Sequence, residues 1–510
     1  MADTKHVEGA SRHVLSTAKG GGFLAGGSFF ELATRFLISL ILARALGATD
    51  YGLYNLAISA GTIFAGIAAL GLDDAIIRYV AIQARQRDQV GLRGTLQIGL
   101  GISTAVSIIL GVALYLGAEP IAVGIFDEPD LVDLLRLFAV IAPTMTISNV
   151  LAATAKGFKR MDHAALAENV VMSIVRLALL AGLLLIGLDA FAASVVFGIS
   201  DIAASLALVL LTNQYFPMRS LFQRGARRDY AEMFRFALPL WLSGMLLQSR
   251  KNIVVLLLGA LSVAADVGLI SIVGRISLLS HVIYRSVIAA VKPVLAELSS
   301  VGDREELQVV YRASTRWTFM FSVPVFLVMA LYPVPLLSIF GKSFIAGAAP
   351  LVVLAFSELA NAGTGTCGSI IDMTGHTRIK LANSIAWMTL LIVSNVILIP
   401  RYGVLGAAVA NLLSTATING ARVIEVWVLE RVQPYDRTFL KPVAGGIVAA
   451  GCAGALAAAG VAPRNLFEVG IAGILITFVY GGVNWIFGIA PEDRAVVSRV
   501  VGKARRAIGH

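Results

Sequence analysis

Apolar stretches of about 20 residues, the length a helix needs to cross the roughly 30 Å hydrocarbon core of a bilayer, recur between short polar breaks from Gly21 to Ala490. In lipid every backbone N–H and C=O must be satisfied within its own segment, so such stretches are helices. The pattern predicts about fourteen spans, at 21–46, 51–80, 93–117, 131–155, 164–187, 190–213, 232–259, 266–292, 309–333, 346–371, 379–400, 403–429, 441–460 and 466–489. They leave no room for a sizeable soluble domain. The first 18 or so residues are polar, and the apolar run after them reaches about Leu46. That is longer than the 7 to 15 residues of a signal-peptide core, and the run is expected to be retained as the first span.

Composition agrees with the pattern: 57% of the 510 residues are hydrophobic and 14% charged, more apolar and less charged than soluble domains. The net charge of +10 would fit a nucleic-acid surface, but the placement of the cations gives it another meaning. With the N-terminus inside, about 28 Lys and Arg fall in cytoplasmic segments, among them Arg85, Arg87, Lys156, Arg227, Arg228, Lys292 and Lys380. The opposite loops hold only Arg44, Lys342, Arg401 and Arg464. This positive-inside bias, with an even number of spans, places both termini in the cytoplasm. The tail 491–510 is expected to be a basic amphipathic helix on the inner leaflet, its valines on one face and its cations toward anionic head groups. Cys367 and Cys452 both lie in apolar windows and read as small buried residues, not as a disulfide framework.

Self-comparison reveals an internal repeat. Gly52-Leu53 matches Gly268-Leu269, Ala192-Ala193 matches Ala407-Ala408, and Gly157 and Arg160 match Gly375 and Arg378, in order and at offsets of about 215 to 218. Six helices separate the copies, so the two halves insert with the same orientation and are related by an axis along the membrane normal. The expected organisation is a cytoplasmic N-terminal segment 1–20, an N-lobe 21–213, a linker 214–230, a C-lobe 231–430, two appended helices over 431–490 and the tail. Two pseudo-symmetric six-helix lobes of this kind suit alternating access around a central cavity.

About nine cations fall inside the spans, where a charge costs at least about 2.5 to 3.5 kcal/mol to insert. Arg136 and Arg235 sit near helix ends and can snorkel; Arg176 can pair with Glu168, and Arg422 with Glu425. Arg250, Lys251, Arg275 and Arg285 have no acidic residue within four positions, and through the repeat Arg250 corresponds to Arg35, which has Glu31 one turn earlier. A planar guanidinium donates two parallel hydrogen bonds to phosphate. Arg35, Arg250, Lys251, Arg275 and Arg285 are therefore the expected substrate-binding set, an electropositive cavity for an anion carried on a large molecule. Glu31, Asp73, Asp74, Arg78 and Glu358 are candidate cavity or gate residues; Asp73, Asp74 and Arg78 lie at the cytoplasmic surface as an interfacial ion pair or a gate between lobes. No HExxH motif or metal-spaced Cys/His cluster is present, and "FGKSF" (Phe340–Phe344) has Leu336 where a phosphate-binding loop requires its first glycine. No metal site, cofactor or catalytic residue is expected, and the chain reads as a transporter, not an enzyme.

"FLISLILARALGATDYGLYNLAI" with "GLDDAIIRYV", then "YPVPLLSIFGKSFIAGAAPLVVLAF", "DMTGHTRIKLANSI" and "YGVLGAAVANLLS" resemble the Wzx-type polysaccharide and oligosaccharide flippases of the multidrug/oligosaccharidyl-lipid/polysaccharide exporter superfamily. The resemblance runs from about Gly21 to Leu429. It implies an all-α polytopic protein with a V-shaped pair of six-helix lobes, which moves an undecaprenyl-pyrophosphate-linked oligosaccharide to the outer leaflet for polysaccharide biosynthesis. It also implies polysaccharide polymerase and export machinery as partners, with a monomeric flippase. Relatives often carry an acidic residue in the seventh span, where this chain reads Gln248-Ser249-Arg250-Lys251-Asn252, a departure that weakens the carry-over of a proton or sodium site. The alternatives are a lipid II flippase, a sodium- or proton-coupled drug antiporter with Glu31, Glu358, Glu168 or Asp201 as its acidic site, and, from a different class, a membrane glycosyltransferase.

Overall fold

The computed structural model describes residues 2–223 and 225–488, with side chains from Leu32 onward except at positions 242, 243 and 246–248. The expected tail helix and the Glu31 side chain lie outside the described residues. Among those described the chain is helical throughout, and eleven helices are long and apolar enough to cross a membrane. Two of the eleven hold two spans each. Leu32–Ala69 bends at Gly47 (φ 74°, ψ −175°), and Thr377–Glu430 bends at Gly403 (φ 54°, ψ −133°). Only glycine takes such backbone angles without a steric cost, and each bend falls at a predicted break between spans. The seventh span is two pieces, Tyr230–Gln248 and Arg250–Leu261, joined through Ser249. A multi-pass bundle of about fourteen spans results.

Local chemistry fixes where several helices begin. Asp88, Asp229, Asp303 and Asn465 each accept a hydrogen bond from the backbone N–H three residues on, at 2.9 to 3.1 Å, satisfying a donor that the first turn leaves orphaned. Three spans that read as continuous are interrupted. The second breaks at Leu70 and Gly71 (φ 50° and 70°) and resumes as Leu72–Gln86; the tenth breaks at Gly365 (φ 62°); the fifth carries a π-turn over Leu166–Val171. Hydropathy is blind to these, because one left-handed residue changes the direction of a helix without changing how apolar it is.

The chain packs as two compact units that divide at Ala260/Leu261. In the first, Leu72, Ile76, Leu92, Leu96, Val150 and Phe216 form a core with Met233 and Ala237 of the seventh span. The seventh span is seated here by small residues: a Cβ on Gly71 would lie 2.6 Å from the Ala237 carbonyl oxygen, and one on Gly259 would lie 2.3 Å from Leu56. The Trp241 indole N–H donates to the Gly66 carbonyl at 3.0 Å. Sequence repetition thus assigns the seventh span to the second half, while packing joins it to the first. Close approach at glycines is how membrane helices gain contact where lipid is as apolar as leucine.

The 214–230 linker is strapped to the start of the third span. Arg227 N–H donates to Val90 O, and its guanidinium pairs with Asp88 at 2.7 Å. Arg228 donates to Gln97 at 2.8 Å, and Arg93 to Gln223 at 3.0 Å.

In the second unit one core gathers Leu295, Leu307, Tyr311, Ile370 and Val426, and another packs Val323, Leu327 and Tyr332 against Ala449, Val469 and Tyr480 of the last two spans. Asp266, the repeat counterpart of Asp50, accepts from Ser262 (2.6 Å) and from the Val404 N–H (3.2 Å) just past the Gly403 bend. An apolar cleft of about 410 Å³ lies along the thirteenth and fourteenth spans, with Tyr332, Arg464 and Glu468 in its wall. Cys367 is buried as expected, but Cys452 is exposed and lines this cleft.

Candidate functional site

In the first unit Arg35 is exposed on the first span, while its neighbour Thr34 is buried against Ser173 of the fifth (3.4 Å). Arg250 and Lys251 open the second piece of the seventh span, and both are exposed although adjacent residues on a helix diverge by about 100°. Their flanking residues turn elsewhere: Ser249 and Asn252 line a cavity inside the unit. In the second unit Arg285 is exposed on the eighth span. Arg275 is half-buried there, and among the described residues its Nε has no hydrogen-bond partner.

The other candidates separate. Glu358 of the tenth span lies 3.5 Å from His281 of the eighth. Asp73 and Asp74 occupy the first turn of Leu72–Gln86, where the helix dipole favours negative charge, and both face the cavity. Arg78, expected as their ion-pair or gate partner, instead sits over the Phe236 ring with its guanidinium 4.3 Å from the centroid. A cation over an aromatic face is attracted by the ring quadrupole, and here that contact ties the second span to the seventh.

The acidic residues of the two expected helix pairs have partners on other spans. Glu168 bonds to Lys156 (3.6 Å), and Arg176 lies over Phe197 at 4.5 Å. Glu425 accepts from Asn383 at 2.6 Å, while Arg422 donates to Asn419 at 3.2 Å. Each of the two carboxylates is held by a residue of a neighbouring span, while Arg422 bonds one turn back on its own helix. Asp201 is buried on the sixth span.

The cavity of the first unit is the feature that residue-by-residue reading misses. It encloses about 390 Å³ between the second, fourth, fifth and seventh spans, within the usual range of small-molecule sites. Its wall combines Trp241, Asn149 and Asn252 with Asp73, Asp74, Glu168 and Lys156. The signal was present in sequence as isolated amides in apolar spans, but nothing along the chain brings four separate helices to one place.

Comparison with known proteins accounts for the architecture. The sequence model of the polysaccharide biosynthesis protein family matches residues 17–299, and the MatE model matches residues 239–397. A stretch of 145 residues is 26% identical to the lipid III flippase of Escherichia coli K12, and the same holds for that of Shigella flexneri. The match covers 28% of this chain and 34% of each relative, so the chain is aligned with about a third of their length.

Among solved structures the fold is similar to the lipid II flippase MurJ in its inward closed conformation, with a TM-score of 0.71 over 90% of this chain and 98% of that one, at 13% identity. It is also similar to an inward-facing multidrug resistance transporter of the MATE family, with a TM-score of 0.66 over 78% and 94%, at 16% identity. At such identities the likeness is one of fold. The sequence match, which spans more than half of the chain, settles the family: this multi-pass membrane protein belongs to the polysaccharide biosynthesis protein family.

Proposed function

We propose that the chain is a flippase that carries an undecaprenyl-pyrophosphate-linked oligosaccharide from the cytoplasmic to the outer leaflet of the bacterial inner membrane, by alternating access. The observation that carries this reading is the set of cations on membrane-spanning helices: Arg35, Arg250, Lys251 and Arg285 are exposed, and Arg275 is half-buried. Their sign selects an anionic group, and their number suits a pyrophosphate better than a single carboxylate. The family match and the name of the lipid III flippase relatives support a lipid-linked saccharide as the cargo.

In this reading Arg35, Arg250, Lys251, Arg275 and Arg285 are the residues that bind the pyrophosphate, while the lipid tail stays in the bilayer. Both termini are cytoplasmic, and the released substrate passes to polymerase and export machinery. Reconstituted protein should move a fluorescent pyrophosphate-linked oligosaccharide between leaflets of a proteoliposome, and Arg250→Ala with Lys251→Ala should stop it. Movement that survives this double substitution overturns the cationic site. Complementation of strains lacking either flippase distinguishes an oligosaccharide carrier from a lipid II carrier. Formation of a new saccharide product would instead mark a glycosyltransferase.

A further inference from the structure

We propose that the cavity of the first unit is a saccharide subsite that reads neutral or amino sugars of the cargo and rejects uronic acids. The inference rests on the flippase reading and assigns its sugar-recognising residues.

The cavity's chemistry selects its ligand. Trp241 offers an aromatic surface, and the negative face of such a ring attracts the weakly positive C–H groups on one side of a pyranose. Its N–H is committed to Gly66 O at 3.0 Å, so the ring itself, not its polar tip, is left for a ligand. The close approach of Gly71 to the Trp241 Cβ, at 2.7 Å for a built Cβ, fixes the side chain at its root. The amides of Asn149 and Asn252 each carry donors and acceptors, and neither makes a side-chain hydrogen bond among the described residues. Sugar hydroxyls, which both give and accept, match them. Asp73, Asp74 and Glu168 add acceptors, and Lys156 adds a donor.

Other ligands fit less well. Three carboxylates against one ammonium repel a phosphate or a uronate, and an acyl chain would strand all of these groups without partners. Among the described residues no group of three His, Cys, Asp or Glu can hold a metal ion. Glu168 projects from the π-turn of the fifth span, an irregularity that re-aims a side chain and recurs at functional sites.

The cavity also adjoins the anion grip. Ser249 and Asn252 line it, and Arg250 and Lys251 stand between them in sequence. One short segment thus presents polar groups to a sugar and cations to the phosphates that a lipid-linked sugar carries.

The test uses the full chain in nanodiscs and two soluble probes, di-N-acetylchitobiose and glucuronic acid, followed by saturation-transfer NMR. Chitobiose should bind and glucuronic acid should not. Asn149→Ala and Asn252→Ala should each weaken chitobiose at least tenfold while leaving the thermal midpoint unchanged, and Asp73→Asn with Glu168→Gln should admit glucuronic acid. In proteoliposomes the same amide variants should raise the KM for a lipid-linked N-acetylated oligosaccharide and leave Arg250-dependent movement in place.

No chitobiose binding, or equal binding by wild type and both amide variants, overturns the subsite. Arg250-dependent flipping with unchanged sugar preference in both variants overturns it too, and leaves the flippase reading intact. Absence of flipping for every lipid-linked saccharide removes the flippase reading instead.

Discussion

Arg250 and Lys251 illustrate how a residue's surroundings decide its role. Each is exposed, so truncating either removes no core packing, and the fold should tolerate the change. A hydrogen bond to a charged group contributes about 1.5 to 3 kcal/mol. Arg250→Ala should therefore slow flipping by roughly ten- to a hundredfold, with an unchanged melting midpoint by fluorescence-detected size exclusion. A drop in the midpoint equal to that of a core substitution would make the residue structural.

Asp88, in the loop before the third span, behaves differently. The Gly91 N–H and the Arg227 guanidinium hold its carboxyl below the ordinary value of 3.8. A depressed folded-state value adds stability that is fully present above the unfolded value, near 4, and is lost as pH falls through the folded one. Asp88→Asn should lower the thermal midpoint at pH 7. The gap to wild type should close as pH drops from about 4 toward 3, because wild type then loses the same charge. A gap that stays constant down to pH 3 would show that the carboxylate's charge contributes nothing.

At the scale of elements, glycines determine which helices meet. Gly71 is left-handed (φ 70°), and its Cα faces the Ala237 carbonyl and the Trp241 side chain of the seventh span. Gly71→Ala combines a backbone penalty with a clash, at a cost of about 1 to 3 kcal/mol. It should lower the thermal midpoint and loosen the seventh span from the second, read as faster hydrogen exchange over 230–248. Gly101, also in a span, has nothing within 4 Å of a built Cβ. Gly101→Ala should be neutral or stabilising by about 0.4 to 1 kcal/mol, because it restricts the unfolded chain. If the two substitutions have equal effects, close approach at Gly71 is not what seats the seventh span.

For the whole molecule, the proposed anionic cargo predicts that transport is coupled to the membrane potential. Moving one charge across it is worth about 2.3 kcal/mol per 100 mV. With the inside negative, an anion is driven outward, and an emptied cationic site is drawn back. Collapsing the potential with potassium and valinomycin should slow net outward flipping in proteoliposomes and leave binding of the lipid-linked saccharide unchanged. An unaltered rate would place the driving force elsewhere.

The membrane class and the approximate span positions, with breaks near Gly47 and Gly403, follow from the sequence alone, because lipid imposes one rule on every spanning segment and hydropathy records it directly. The cations inside the spans were legible for the same reason: charge in hydrocarbon is costly enough to be noticed one residue at a time. Tertiary structure decided what required distance. It joined the seventh span to the first unit, gave Glu168 to Lys156 and Asn383 to Glu425, and gathered Trp241, Asn149 and Asn252 around one cavity. These outcomes depend on which surfaces fit, a property of pairs of helices far apart in the chain, and a single strand of residues carries no record of its neighbours in space.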